Sequence, residues 1–406
     1  MAPTSQSTSS KARASASRKQ SKKVSTKLES SKPNGVQLSL FSLLIASLGI
    51  AIFYFVPRSH APVQSAENGS ATAFKEVSLD GRGIGLVATR DIEPGELLIR
   101  ERPLFVVPPE VSSPLVLISN ILMRMQPHER EAFMNLSYVD VNFPAHLTDR
   151  TGKPEDHPLA LALAIFQTNA VSAGSHVGLF PRMARLNHGC AGSFNSVYSW
   201  REDEGELVVH AIKRIAKDQE LLTTYTDTKK TRSQRRCVRL LRVWGISPWA
   251  SVPENSAPIV HLYVRREYLA QTYGFHCSCA CCSLPADQSR NSDIRLSAMA
   301  MLYSRLAEWG DPSKGVSGRQ AIEFAREIIT LGDEEGYVSE RGRLAADAAW
   351  VAAAHSDADA FREWALLAHQ WYSIELGRDS KDAQEMERLA ENPESHSAWG
   401  TRGKGL

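Results

Sequence analysis

The chain has 406 residues, enough for one large domain or two moderate ones with a tail. With 43% hydrophobic and 23% charged residues it is neither collagenous, nor mucin-like, nor wholly disordered. The net charge of +2 is unevenly placed: residues 1–35 hold eight Lys or Arg against one acid, Glu29, so the remainder is mildly acidic, which argues against direct nucleic-acid binding.

Residues 1–35 are rich in Ser, Lys and Ala, lack large apolar side chains and cannot bury a core, so they read as a disordered basic arm. Residues 36–57 follow as a transmembrane helix. Val36 to Val56 is free of charge, long enough to cross a lipid bilayer, and flanked by Lys32 and Arg58. It has no short apolar core with a small-residue cleavage site, so an uncleaved anchor is expected rather than a secretory signal. The expected location is therefore a membrane, crossed once near the N-terminus.

Sidedness stays open. The positive-inside tendency puts the basic arm in the cytosol and the rest in a lumen, which the sequon Asn68-Gly69-Ser70 would also suit. Clustered thiols favour a reducing compartment, and the acid-poor arm also suits mitochondrial targeting. The endoplasmic reticulum and the mitochondrial membrane are both compatible with the sequence.

After a linker at 58–72, residues 73–228 are expected to form a domain of short strands broken by Gly and Pro, with runs at 85–92, 96–107, 193–200, 206–215 and 220–227. A helical insert interrupts it at about 113–170. Residues 229–285 hold a cysteine-rich segment and an unusual stretch at about 237–265. From 290 to 390 apolar residues recur at helical spacing, predicting antiparallel helical hairpins of tetratricopeptide type without a clean repeat. Residues 391–406 read as a loose tail. The predicted class is α+β, with an all-α C-terminal region.

Three separated motifs carry chemistry. Gly81-Arg82-Gly83-Ile84-Gly85 precedes a strand, and its glycines permit positive φ and close backbone approach to a ligand. No helix follows at dinucleotide spacing, so a Rossmann fingerprint is excluded. Asn187-His188-Gly189-Cys190 sets an amide, an imidazole and a potential thiolate side by side. Cys277, Cys279 and Cys282 form a C-x-C-x-x-C array that can share one tetrahedral zinc. A fourth ligand must come from elsewhere, and Cys190 is the obvious donor because Cys237 lies in the unusual stretch. A zinc with four sulfur ligands is closed and structural, so a zinc hydrolase is disfavoured.

The order G-x-G, N-H-x-C, E-L-x-x-x-Y (Glu220 to Tyr225) and F-x-C-x-C-x-x-C resembles SET-domain protein-lysine methyltransferases over roughly residues 72–285. The likeness is greatest to the SMYD-like branch and to fungal proteins of the same arrangement. The resemblance implies a SET β-fold with a zinc-binding post-SET segment, and transfer of a methyl group from S-adenosylmethionine to a lysine of a protein substrate. It implies cofactor contacts from Arg82, Gly83, Ile84, Asn169, Asn187, His188 and Phe275, and a catalytic Tyr225.

Three departures stand out. The zinc-binding MYND module is absent, since residues 1–189 hold no cysteine. The usual N-H-S-C followed by Pro-Asn is replaced by N-H-G-C-A-G-S-F-N, with Asn195 in the place of the later asparagine. The stretch at 237–265 matches nothing in the family and reads as a lineage-specific loop or a translated intron. A second reading keeps the fold but not the chemistry: an idle SET scaffold anchored to a membrane, binding partners through its C-terminal helices.

Overall fold

Strand β1 (Phe74–Leu79) turns through Gly81 and Gly83, both at positive φ, into β2 (Gly83–Ala88), the two pairing antiparallel from Phe74 opposite Ala88 to Leu79 opposite Gly83. The computed structural model describes residues 72–108, 114–139, 157–225, 269 and 273–404. The expected spanning segment, 36–57, and the unusual stretch, 237–265, lie outside these. Among the described residues no helix is long and apolar enough to cross a membrane.

Strands β3 (Leu97–Glu101) and β4 (Phe105–Val107) follow. The insert forms helices α1 (Pro114–Arg124), α2 (Pro127–Met134) and α3 (Pro158–Asn169), each opening on the proline that suits a first helical turn. They bury Ile118, Phe133 and Ile165 in a small core of their own. Next come β5 (Val171–Ala173), β6 (His176–Leu179), β7 (Asn187–His188), β8 (Ser196–Arg201), β9 (Glu206–Ala211) and β10 (Glu220–Thr223).

These strands make three small sheets, ordered β1-β2-β10-β7, β3-β9-β8 and β4-β6-β5. β9 is buried along nearly its whole length because both its faces are covered. Leu207, Val209 and Ala211 join Leu86, Ile99 and Phe180 in the sheet core. His210 points the other way, towards the C-terminal helices.

Those helices are α4 (Ala286–Glu308), α5 (Gly318–Glu335), α6 (Arg341–Ala354), α7 (Ala358–Glu375) and α8 (Lys381–Glu391). Capping sets their limits. Ser317 accepts from the Gln320 amide while the Gln320 side chain accepts from the Ser317 amide, and Gly336 ends α5 in the left-handed region. Asp357 and Ser380 cap α7 and α8. α6 is alanine-rich and buried on nearly all sides, with Ala345, Ala348 and Ala352 fully enclosed, as expected of a helix packed between neighbours. Phe194 and Ile212 of the sheet domain enter this helical core. Burying a ring such as Phe194 contributes about 2–3 kcal/mol.

The tail departs from expectation. Residues 392–404 are held down rather than loose: the Arg402 guanidinium sits 4.0 Å over the Trp309 ring and donates to the Trp309 carbonyl. The Gly400 and Arg402 amides donate to Ala353 and Ala354 at the end of α6. Sequence polarity missed this because one stacked arginine and a few backbone bonds anchor an otherwise polar segment.

Candidate active site

A cavity of about 1030 Å³ opens where the β1–β2 turn, β7 and the cysteine segment meet. Asp80, Arg82, Gly83, Asn187, His188 and Phe275 line it, as do Ser137, Tyr273 and the end of α5 at Glu334 and Glu335. A methyl group added at Gly81 would meet nothing within 4 Å, and one at Gly83 only the Ser137 hydroxyl. The turn therefore leaves open space for a ligand against its backbone.

β7 and β10 pair in parallel, Asn187 opposite Leu222 and His188 opposite Thr223, which sets two polar side chains at the cavity wall. The Asn187 amide donates to Glu220 Oε1 at 2.9 Å, and Arg82 forms an ion pair with Glu220 Oε2. Gly85 makes this possible, since a Cβ there would lie 2.8 Å from Asn187 Nδ2 and 3.0 Å from Glu220 Oε1. Asn195, fully buried, pins the same strand: its side chain donates to the Glu220 carbonyl and accepts from the Leu222 amide.

His188 faces inward. The Tyr225 amide donates to its Nδ1 at 3.0 Å, leaving the ring hydrogen on Nε2, which lies 3.1 Å from Cys190 Sγ. The ring thus steadies a sulfur, as residues behind metal ligands do. Tyr225 donates its hydroxyl to the Leu186 carbonyl at 2.7 Å. Burial, and secondarily the Glu220 carboxylate, push the phenol well above its ordinary value. Its ring lies 4.9 Å from Tyr273 and 6.5 Å, edge-on, from Phe275, so it packs against the two rings that line the cavity.

Cys190 Sγ lies 3.5 Å from Cys282 Sγ and 3.9 Å from Cys277 Sγ, and with Cys279 the four sulfurs fall within 4.8 Å of one another. Tetrahedral zinc with bonds of about 2.3 Å places its sulfurs about 3.8 Å apart, so this set fits a closed four-thiolate site. Hydrogen bonds from Cys277, Cys279 and Cys282, with burial, push the Cys190 thiol up; a bound dication would reverse that and hold all four as thiolates. Cys281 is set apart, held by Ser193, whose hydroxyl accepts from its amide.

Three of the sequence-predicted cofactor and catalytic residues stand outside the lining: Ile84, Asn169 and Tyr225. Ile84 is 38% exposed on β2. The Asn169 amide donates to the Ser137 and Ile165 carbonyls, so it acts one step behind the cavity through Ser137. Sequence reasoning passed over Glu220, Tyr273 and Glu335. A clue to Glu220 existed in the carboxylate that opens the otherwise uncharged run Glu220 to Tyr225.

Residues 83–226 match the SET domain family, so the chain carries a SET domain. Over 326 residues it is 25% identical to a histone-lysine N-methyltransferase of Schizosaccharomyces pombe, covering 80% of this chain and 85% of that one. A solved structure of Rubisco LSMT bound to AdoMet aligns over 81% of this chain and 93% of that one, with 14% identity and a TM-score of 0.31.

Proposed function

We propose that the chain is a protein-lysine methyltransferase that uses S-adenosylmethionine and is tethered to a membrane by residues 36–57. The observation that carries the enzymatic reading is the convergence of the glycine turn, Asn187, and the rings of Tyr273 and Phe275 on one cavity beside the four-cysteine cluster, with Tyr225 packed against both rings. The homology to a histone-lysine N-methyltransferase supports it.

S-adenosylmethionine supplies a methyl group on a sulfonium, and the chain's own residues supply alignment. Arg82, Gly83 and Asn187 would hold its polar end, with Asn169 supporting Ser137 from behind. Phe275 and Tyr273 would exclude water and wall the lysine channel. A lysine ammonium must shed its proton before it can attack, and burial in such a channel lowers its pKa. Tyr225 would orient the amine through a hydroxyl that stays protonated. Zinc on Cys190, Cys277, Cys279 and Cys282 would fix Phe275 over the cavity.

The decisive experiment gives the purified full chain labelled S-adenosylmethionine and cell lysate. Label on protein lysine is expected. Failure to bind the cofactor would favour the idle scaffold. The tether rests on the uncharged run from Val36 to Val56. Retention in the membrane pellet after alkaline carbonate washing is expected, and loss on deleting 36–57.

A further inference from the structure

We propose that Glu220 is the positioning residue of the cofactor cleft, setting how tightly the cofactor is held. This rests on the methyltransferase reading. Glu220 does not line the cavity, although its neighbour Gln219 does. Its side chain is 14% exposed and stands one layer back. Each carboxylate oxygen holds one residue that does line the cavity: Oε1 accepts from Asn187 and Oε2 from Arg82.

Those two residues come from different elements, the β1–β2 turn and β7, which are not direct neighbours in the sheet. β10 lies between them, so a carboxylate at the start of β10 can reach both at once. Three further features serve this placement. Gly85 clears the space into which the Glu220 and Asn187 side chains reach. Asn195 clamps the β10 backbone at Glu220 and Leu222, which fixes where the carboxylate starts. The pairing of Glu220 with Val87 fixes its register against β2. Without Glu220, Arg82 would be a long side chain on a two-glycine turn with nothing to hold its direction, and Asn187 would lose its acceptor. Both would have to be ordered by the incoming ligand, weakening binding while leaving the transfer geometry around Tyr225 in place.

The test uses the full chain loaded with zinc. Glu220→Ala is expected to raise the Kd for S-adenosylmethionine roughly ten- to hundredfold, the effect of losing charge-assisted hydrogen bonds. The rise in KM for the cofactor should far exceed the change in kcat. Glu220→Gln keeps an acceptor for Asn187 and removes the charge facing Arg82, so it should fall between. Because Glu220 acts through Arg82, combining Glu220→Ala with Arg82→Ala should cost less than the product of the single effects.

Zinc content and melting temperature report folding. If Glu220→Ala loses either, Glu220→Gln decides by the same criteria. Variants whose Kd stays within twofold of wild type, a loss confined to kcat, or fully multiplicative effects with Arg82→Ala would each overturn the inference. A wild-type chain that binds no S-adenosylmethionine would instead overturn the proposed function, an outcome distinct from wild-type binding that the variants leave unmoved.

Discussion

The Tyr225 hydroxyl hands its hydrogen to the Leu186 carbonyl and, held neutral by burial, cannot serve as a base near neutral pH. What it keeps is a pair of acceptor positions and a fixed dipole, which suits orienting an amine rather than deprotonating one. Tyr225→Phe removes that dipole and the bond to Leu186 while retaining the ring between Tyr273 and Phe275. Methyl transfer should fall roughly 10²-fold or more, the usual loss for one preorganised polar group. Cofactor Kd should move less than about threefold, because this hydroxyl is committed to the Leu186 carbonyl and stands outside the cavity lining. Calorimetric titration beside a radiolabel assay separates the two, and an equal loss in both would refute the assignment.

The C-terminal end of α5 is pressed against the loop that carries Cys190. A Cβ on Gly192 would lie 2.3 Å from the Glu335 carbonyl, and both partners are backbone, so neither can swing aside. Glu335 is itself locked by Arg295 and Ser292. Gly192→Ala should therefore destabilise the protein by about 1–3 kcal/mol and loosen the loop that carries Cys190. A denaturant titration with zinc content measured alongside would check this, and an unchanged midpoint would contradict it.

A further contact between sheet and helices is polar. His210 on β9 is buried, its Nδ1 without a partner among the described residues, with Arg201, Arg100 and Asp379 around it. Burial, with Arg201 adding to it, pushes the imidazole down to about 4. A depressed folded value means stability that is complete above the unfolded value of about 6.5 and is lost as pH falls towards 4, at most about 3 kcal/mol. Melting temperature should drop across that window, and His210→Gln should flatten the drop. Parallel curves for wild type and variant would argue against it.

Across the whole molecule, the four-cysteine cluster ties the sheet domain to the segment that carries Tyr273 and Phe275. One zinc per chain is expected by elemental analysis, falling in Cys277→Ser, and its removal should abolish cofactor binding because that segment loses its anchor. A zinc-free chain that binds the cofactor with wild-type affinity would exclude this role. The glycine turn, Asn187-His188 and the cysteine array were legible in the sequence because each is a local pattern whose residue types carry their own chemistry. Glu220 behind the cavity, Tyr273 on its wall and Glu335 against Gly192 were not. Each acquires its role from a neighbour far along the chain, which spacing does not encode. The tail was misread for the same reason, since Arg402 gains its purchase from Trp309.

The chain leaves the site at Tyr225 and returns at Tyr273, and the two rings are 4.9 Å apart. Packing within the site thus fixes the two positions beside each other. For a flexible linker between two fixed positions, doubling the length costs only about 0.6 kcal/mol. A short flexible linker in place of residues 237–265 should therefore leave the distance between those rings unchanged.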